Sequence, residues 1–110
     1  MTAFATQALT DGAARLMVDG EMNIYNALEV KSHLVGAVRA ADVLELDLSH
    51  VSEIDTAGLQ LLLLAKQESV RLDKTLRITA HSDAVRELID FYNVGAFFGD
   101  PVVILADNKE

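Results

Sequence analysis

The stretch "LELDLSHVSEIDTAGLQLLLLAK", residues 44–66, decides the fold because it joins two hydrophobic periodicities. Leucines and acidic residues alternate over residues 44–48, which is typical of a strand with one buried face. From about Thr56 to Leu72 the apolar residues follow a helical period instead. The polar residues Asp55, Thr56 and Gly58 stand at the junction. The sequence therefore predicts a strand that leads directly into a helix.

The helical part of this stretch presents one broad apolar arc. At about 100° per residue the arc contains Leu59, Leu62, Leu63, Ala65, Val70 and Leu72, with Leu61 at its edge. Leu64 falls on the opposite side, among polar residues. We interpret Leu64 first as an isolated exposed leucine, which is common at protein surfaces. Contact with a partner is the alternative.

Elements of the same two types flank this stretch on both sides. Asp11-Gly12 predicts a hairpin with a tight primed turn between strands near residues 4–10 and 13–19. A helix is expected from Ile24, a further strand at "LRITA" and a third helix after Ser82, which can cap it. The apolar face of the first helix is expected to contain Ile24, Ala27, Leu28, Leu34, Val35 and Val38, and that of the third Val85, Leu88, Ile89 and Tyr92. The segment "VVIL" at 102–105 predicts a last short strand.

This order predicts an α/β fold. An N-terminal hairpin is followed by β-α-β units, in which strands joined through helices run parallel. Glu45, Asp47 and Arg77 alternate with buried positions, whereas a parallel sheet covered on both faces has continuously apolar strands. We therefore expect a mixed sheet of four to five strands, with helices mainly on one face. Arg15 and Arg77 are expected to pair with Glu45 and Asp47 on the other face.

Length and composition restrict the class of protein. The 110 residues are enough for a single domain, 1–110, and half of them are apolar (51%), as in globular chains. A net charge of −8 argues against nucleic-acid binding and against an anionic membrane surface. The longest apolar run, Leu61 to Ala65, is too short to span a bilayer, and the N-terminal residues lack the pattern of a signal peptide. We expect a cytoplasmic protein without membrane insertion.

The polar residues at the junction have both a structural and a functional interpretation. The carboxylate of Asp55 can cap the helix by accepting from the N–H groups of Ala57 and Gly58. A glycine in the first turn costs about 0.5–1 kcal/mol against alanine, so Gly58 indicates close approach by another part of the fold or by a partner. Thr56 would direct its hydroxyl outward at the helix start, where a kinase can reach it. A phosphate there would face the positive end of the helix dipole.

The residues of this stretch resemble the signature of STAS domains, the bacterial anti-sigma factor antagonists and their relatives. In that family an apolar strand ends in Asp-Ser/Thr-Ser/Ala-Gly-Leu, which opens the following helix. "VDGEMNIYNALEVKSHL" and "LRITAHSDAVRELIDFYNVGAFF" are similar to flanking family segments. The resemblance implies that Thr56 is a phosphoacceptor and that Asp55 is its recognition acid. Threonine here stands where the best-studied antagonists have serine, and Ala57 where many have a second serine.

The resemblance also implies a partner surface around Thr56. Gly58 and Leu59 match the Gly-Leu of the motif, and Gly20 and Glu21 match a loop that lies beside the phosphoacceptor. We expect this surface to consist of Gly20, Glu21, Ala57, Gly58, Leu59, Gln60 and Leu64.

The function implied is a phosphorylation-controlled switch in signal transduction and transcription regulation. It would bind an anti-sigma factor with Ser/Thr kinase activity, or a related signalling partner, while Thr56 is unphosphorylated, and a phosphatase could reset it. The alternative is a constitutive subunit of a lipid-transport ABC complex or of a chemosensory system.

Enzymatic activity is not expected from this sequence. His33, His50 and His81 have no metal-ligand spacing, and there is neither a nucleophile elbow nor a phosphate-binding glycine loop. No metal or cofactor is therefore predicted.

Overall fold

The computed structural model describes residues 1–94, and the strand predicted at 102–105 lies outside them. A short 3-10 helix, Ile24–Asn26, precedes the first α-helix. The strands and α-helices are β1 (Ala3–Ala8), β2 (Ala13–Met22), α1 (Ala27–Ala40), β3 (Val43–Ile54), α2 (Thr56–Arg71), β4 (Thr75–His81) and α3 (Asp83–Tyr92).

The four strands form one mixed sheet in the order β1-β2-β3-β4. β1 pairs with β2 in antiparallel orientation, whereas β2 with β3 and β3 with β4 are parallel. The parallel pairs are joined through α1 and α2, as a crossover connection requires. The predicted α/β fold with a mixed sheet is confirmed.

The connection between β1 and β2 differs from the predicted turn. The N–H of Ala13 donates to the carbonyl of Thr10 (2.9 Å), and that of Leu9 to the carbonyl of Ala13 (3.0 Å). Gly12 has φ +77°, but Asp11 is not among the residues with positive φ. A two-residue type I′ turn needs positive φ at both central residues. The hairpin is therefore confirmed, whereas the tight primed turn is wrong.

The core lies on one face of the sheet. Leu16, Leu46 and Ile78 face one another in register across β2, β3 and β4, and all three are buried. One hydrophobic cluster joins this face to buried residues of all three helices, namely Val30, Leu34, Val38, Leu59, Leu62, Ala65, Val85 and Ile89. The helices therefore pack on the same side, as the strand pattern predicted.

The opposite face of the sheet is polar. The guanidinium of Arg15 donates to Glu45 (2.9 Å), which confirms one predicted cross-strand pair, and Arg77 lies opposite Glu45 in register. The hydroxyl of Ser49 donates to Asp47 and holds the pKa of that carboxyl below its usual value. This face is therefore stabilised by charge pairing and hydrogen bonding.

The buried face of α1 is shifted from the prediction. Ile24 and Leu28 are 67% and 84% exposed, whereas Val30 is buried. Ile24 lies in a 3-10 turn: Asn23 accepts from the N–H groups of Tyr25 and Asn26, and the α-helix begins only at Ala27. A 3-10 helix has three residues per turn rather than 3.6, so Ile24 does not follow the helical period of α1, in which the predicted Leu34 and Val38 are buried.

The far end of α2 contains a second correction. Val70 is 67% exposed and Ser69 is fully buried, although Val70 was predicted on the apolar arc. Ser69 lies in helical phase with Leu62 and Ala65, and its hydroxyl donates to the carbonyl of Lys66 (2.7 Å). A serine that satisfies its hydroxyl within its own helix can be buried at small cost.

Candidate functional site

The candidate site is the junction between β3 and α2, where the chain turns from strand to helix over one residue. β3 ends at Ile54, Asp55 occupies the N-cap with φ −111° and ψ −174°, and Thr56 is the first helical residue. The Asp55 N–H donates to the carbonyl of Met22 (3.2 Å). The end of β2 therefore helps to hold the start of α2.

Asp55 uses its two carboxylate oxygens for two different tasks. Oδ1 accepts from the N–H of Gly58 (3.0 Å), which is the predicted helix cap. Oδ2 accepts from the N–H of Ile24 (3.1 Å), 31 residues earlier in the chain. The predicted second donor, Ala57, is thus replaced by Ile24. The carboxylate joins α2 to the segment that follows β2.

Gly58 is required by the fold itself. It is buried, and a Cβ atom at this position would lie 2.5 Å from the carbonyl oxygen of Met22 and 2.8 Å from Cγ1 of Ile54. Of the two explanations for this glycine, close approach by another part of the chain is the one observed. The end of β2 packs directly against the first turn of α2.

Thr56 is exposed at the mouth of the helix. Its Oγ1 lies 3.3 Å from the hydroxyl oxygen of Tyr92, at the last residue of α3. Tyr92 was predicted only as part of an apolar stripe, but it is 45% exposed. The two residues are 36 positions apart, so no local pattern could have joined them.

The predicted neighbours Gly20 and Glu21 lie within β2 rather than in a loop. Glu21 pairs in register with Glu53, two positions before Asp55. The hydroxyl of Thr2 donates to the Glu21 carbonyl (2.7 Å), and a Cβ on Gly20, which has φ +124°, would lie 2.6 Å from the carbonyl oxygen of Met1. The start of the chain therefore packs against this end of β2.

The remaining predicted surface residues differ in accessibility. Gln60 is exposed, and Ala57 and Leu64 are partly buried. Leu64 is thus not a freely exposed leucine, and it lines a shallow groove along α2 with Gln60 and Leu61. Leu59 is only 3% exposed and Gly58 is buried. These last two support the surface from inside and are not available for contact, which corrects their predicted role.

Exposed apolar side chains flank the site on both sides. Ile24, whose N–H binds Asp55, is followed by Tyr25, which is 94% exposed. On the other side Phe91 is 78% exposed and its ring meets that of Tyr92 edge to face, with centroids 5.0 Å apart. Aromatic residues are enriched in protein interfaces. The hydrophobic pattern does not reveal this surface, because it predicts Ile24 and Tyr92 on buried faces.

The histidines His33 and His50 contact different neighbours. His33 stacks on Phe4 with ring centroids 3.8 Å apart, and Nδ1 of exposed His50 lies 3.1 Å from the hydroxyl of Ser49. Within residues 1–94 no group of three potential metal-ligating side chains comes together. None of the helices in this part of the chain is both long and apolar enough to cross a membrane.

A family model described as "Mlab, STAS domain" matches residues 5–104. The chain therefore belongs to the STAS-domain family. No curated protein matches it.

Solved structures of anti-sigma factor antagonists share the fold. One from Mycobacterium paratuberculosis is 19% identical, with a TM-score of 0.78, over 91% of this chain and 85% of that one. Unphosphorylated SpoIIAA is 18% identical, with a TM-score of 0.63, over 81% and 83% of the two chains. Phosphorylated SpoIIAA from Bacillus is 17% identical, with a TM-score of 0.67, over 97% and 98%. At these identities the likeness concerns the fold.

Proposed function

We propose that this protein is an anti-sigma factor antagonist whose binding to a protein partner is controlled by phosphorylation of Thr56. The partner would be an anti-sigma factor with Ser/Thr kinase activity or a related signalling protein, a phosphatase would reset the switch, and the protein would act in the cytoplasm without enzymatic activity of its own. The observation that carries the proposal is the exposed Thr56 hydroxyl at the start of α2. Membership of the STAS family and the existence of SpoIIAA in phosphorylated and unphosphorylated forms support it.

The chemistry of the switch is transfer of a phosphoryl group from a nucleoside triphosphate bound by the kinase. Oγ1 of Thr56 forms a bond to the γ-phosphorus, and the bond from that phosphorus to the bridging oxygen breaks. The nucleoside diphosphate leaves, and the hydroxyl proton passes to a base of the kinase. In this chain only the exposed hydroxyl is needed, since the kinase supplies the other groups.

The fold is expected to tolerate the phosphate. It adds about −1.5 to −2 charges at pH 7 at the helix start, where the dipole stabilises a negative group by about 0.3–1 kcal/mol. Asp55, the preceding residue, opposes part of this gain. The net effect on the free energy of unfolding is therefore small.

The phosphate would change the affinity for a docked partner much more than it changes the free energy of unfolding. It would contact the surface formed by Thr56, Ala57, Gln60, Leu64 and the neighbouring end of β2 at Gly20 and Glu21. A dianion in that contact must lose its water, and a loss of about 2.8 kcal/mol already weakens binding a hundredfold. A buried charge that is poorly paired can cost more than this.

The test uses the partner captured from the native cell with Thr56→Ala as bait. Calorimetry against that partner then compares wild type, Thr56→Ala, Thr56→Glu and protein phosphorylated at Thr56. We expect wild type and Thr56→Ala to bind with similar affinity. Binding of Thr56→Glu and of the phosphorylated protein should be at least a hundredfold weaker.

Thr10→Glu is the matched control, because it introduces the same charge at an exposed threonine beyond the opposite end of β2. It should bind like wild type. Equal affinity of all four proteins would contradict phosphorylation control and favour a constitutive subunit. The identity of the captured protein would then separate a lipid-transport ABC complex from a chemosensory system.

A further inference from the structure

The hydroxyl groups of Thr56 and Tyr92 form a pair that links the start of α2 to the end of α3. Their oxygens are 3.3 Å apart, and either hydroxyl can be the donor. A threonine hydroxyl and a phenol can each donate one hydrogen bond and accept others. In the unmodified protein the direction of this bond is therefore interchangeable.

The phenol is presented by a well-anchored helix. Ser82 caps α3 by accepting from the N–H of Val85 (3.3 Å), and Val85 and Ile89 are buried in the core. Asn93 ends the helix in a left-handed conformation with φ 56°, directly after Tyr92. The main chain that carries the phenol is thus fixed by burial and by caps at both ends.

Phosphorylation would give this bond a single direction. A phosphothreonine has no hydroxyl proton on Oγ1, and above its second pKa, about 6, the phosphate carries no proton either, so it can then only accept. Its terminal phosphoryl oxygens lie two bonds beyond Oγ1, on the far side of the phosphorus, within reach of a phenol that already approaches Oγ1 to 3.3 Å. Hydrogen bonds from a neutral hydroxyl to an anionic oxygen are shorter and stronger than those between neutral groups.

We propose that Tyr92 is an internal ligand for the phosphate on Thr56, which ties the end of α3 to the modified start of α2. The inference rests on the proposed function, because it concerns the phosphorylated state of the same residue. Its consequence is that phosphorylation also changes the exposed aromatic pair Phe91–Tyr92, by holding the phenol against the phosphate. A partner would then meet a new charge and a restrained aromatic residue together.

The experiment does not need the kinase. Phosphothreonine is incorporated at position 56 during translation, and the phosphorus resonance is followed by NMR as pH is varied.

A hydrogen bond to the more highly charged form of a group stabilises that form. The second pKa of the phosphate, normally about 6, should therefore be lower in the protein with Tyr92 than in Tyr92→Phe. We expect a difference of about half a pKa unit, equivalent to roughly twofold to fourfold in the protonation constant.

Tyr25→Phe is the matched control, since Tyr25 and Tyr92 are the two tyrosines of the chain. Tyr25 is 94% exposed, so its hydroxyl is not needed for packing. The carboxylates of Glu21, Glu53, Asp55 and Asp90 are the same in all three proteins, so their influence on the phosphate cancels. Equal titration of wild type and Tyr92→Phe, or an equal shift in Tyr25→Phe, would overturn the assignment.

A second measurement compares the unmodified protein with the same chain carrying phosphothreonine at position 56. Amide hydrogen exchange in the last turn of α3 should slow when position 56 carries phosphothreonine, and unchanged exchange there would also overturn the proposal. These outcomes are independent of the proposed function. The proposed function is contradicted if substitution or phosphorylation of Thr56 leaves the affinity for the partner unchanged. The role of Tyr92 is contradicted if Tyr92→Phe leaves the second pKa of the phosphate unchanged.

Discussion

The two ends of α2 are held by different kinds of interaction. At the C-terminal end Glu68 accepts from Arg71 (2.8 Å) and from Arg39 of α1 (3.1 Å). At the N-terminal end Asp55 accepts from two backbone N–H groups, those of Gly58 and Ile24. The C-terminal end therefore has charge paired with charge, whereas the N-terminal end has a carboxylate held by peptide dipoles.

This difference suits the two ends for different roles. The ion pair of Glu68 with Arg39 joins α2 to α1, and its ion pair with Arg71 lies within α2. At the other end the main chain is held by the hydrogen bonds of Asp55 and by the contact of Gly58 with Met22. The hydroxyl of Thr56 takes no part in these contacts and lies beside the hydroxyl of Tyr92. The main chain of the first turn is thus held by these contacts while the side chain of Thr56 is exposed, an arrangement compatible with the proposed phosphorylation. Three sets of substitutions test this comparison.

The largest effect on stability is expected at Gly58. Gly58→Ala would bring Cβ to 2.5 Å from the carbonyl oxygen of Met22, which is main chain and cannot move aside freely. We expect a loss of about 1–3 kcal/mol in the free energy of unfolding, as for other overpacked sites. Urea denaturation measures it.

Gly36→Ala is the control for this substitution. Gly36 lies within α1, and a Cβ there would meet nothing within 4 Å. This variant should gain about 0.4–1 kcal/mol, because alanine restricts the unfolded chain. Similar effects of the two substitutions would show that the contact with Met22 does not constrain the start of α2.

An intermediate effect is expected at Asp55. Asp55→Ala removes the cap and also leaves the N–H of Ile24 without its acceptor. We expect a loss near the upper end of the range of about 0.5–2 kcal/mol for N-caps. Asp55→Asn retains one carbonyl oxygen for two donors on opposite sides, so its loss should be smaller but measurable.

Ser82→Ala provides the comparison for Asp55, because Ser82 caps α3 through one bond within its own first turn. It should cost about 1 kcal/mol, less than Asp55→Ala. If the denaturant midpoints of Asp55→Ala and Ser82→Ala coincide, the bond from Ile24 contributes nothing to stability.

The smallest effect is expected at the C-terminal end of α2 and depends on pH. Hydrogen bonds from Arg71, and then from Arg39, lower the pKa of Glu68 from 4.5 to about 2. A carboxyl whose pKa is lower in the folded state stabilises the fold above its unfolded pKa, and this contribution is lost as pH falls through the folded value. Because the arginines are more than half exposed, water and salt screen the pairs and keep the contribution modest.

Wild type should therefore lose stability between pH 4.5 and about pH 2, and Glu68→Gln should lose less over the same interval. Glu87→Gln, at an exposed glutamate of α3, controls for the general effect of acid. The measurement is the urea midpoint as a function of pH. Parallel curves for Glu68→Gln and wild type would show that the ion pairs of Glu68 do not stabilise the C-terminal end of α2.

Much of the fold was predictable because its evidence is local. The alternation in β3, the helical period of α2 and the caps at Asp55 and Ser82 each depend on residues close in the chain. The predicted apolar face of α1 was confirmed at Leu34 and Val38 but was wrong at Ile24, which lies in a 3-10 turn before the α-helix. The predicted burial of Val70 at the end of α2 was wrong. Hydropathy alone favours valine over serine for burial, but the buried residue is Ser69.

The sequence by itself determined the order of strands and α-helices within residues 1–94, the strand-to-helix junction and the exposed hydroxyl of Thr56 at that junction. Only the tertiary structure decided what surrounds it. The second bond of Asp55 goes to Ile24, the space at Gly58 is filled by Met22, and the hydroxyl of Thr56 meets Tyr92. Each of these contacts joins residues more than 30 positions apart, so it exists only once the sheet has aligned β2 with β3 and the core has placed α3 beside α2. Local propensity acts within a few residues, and packing brings distant chain segments together.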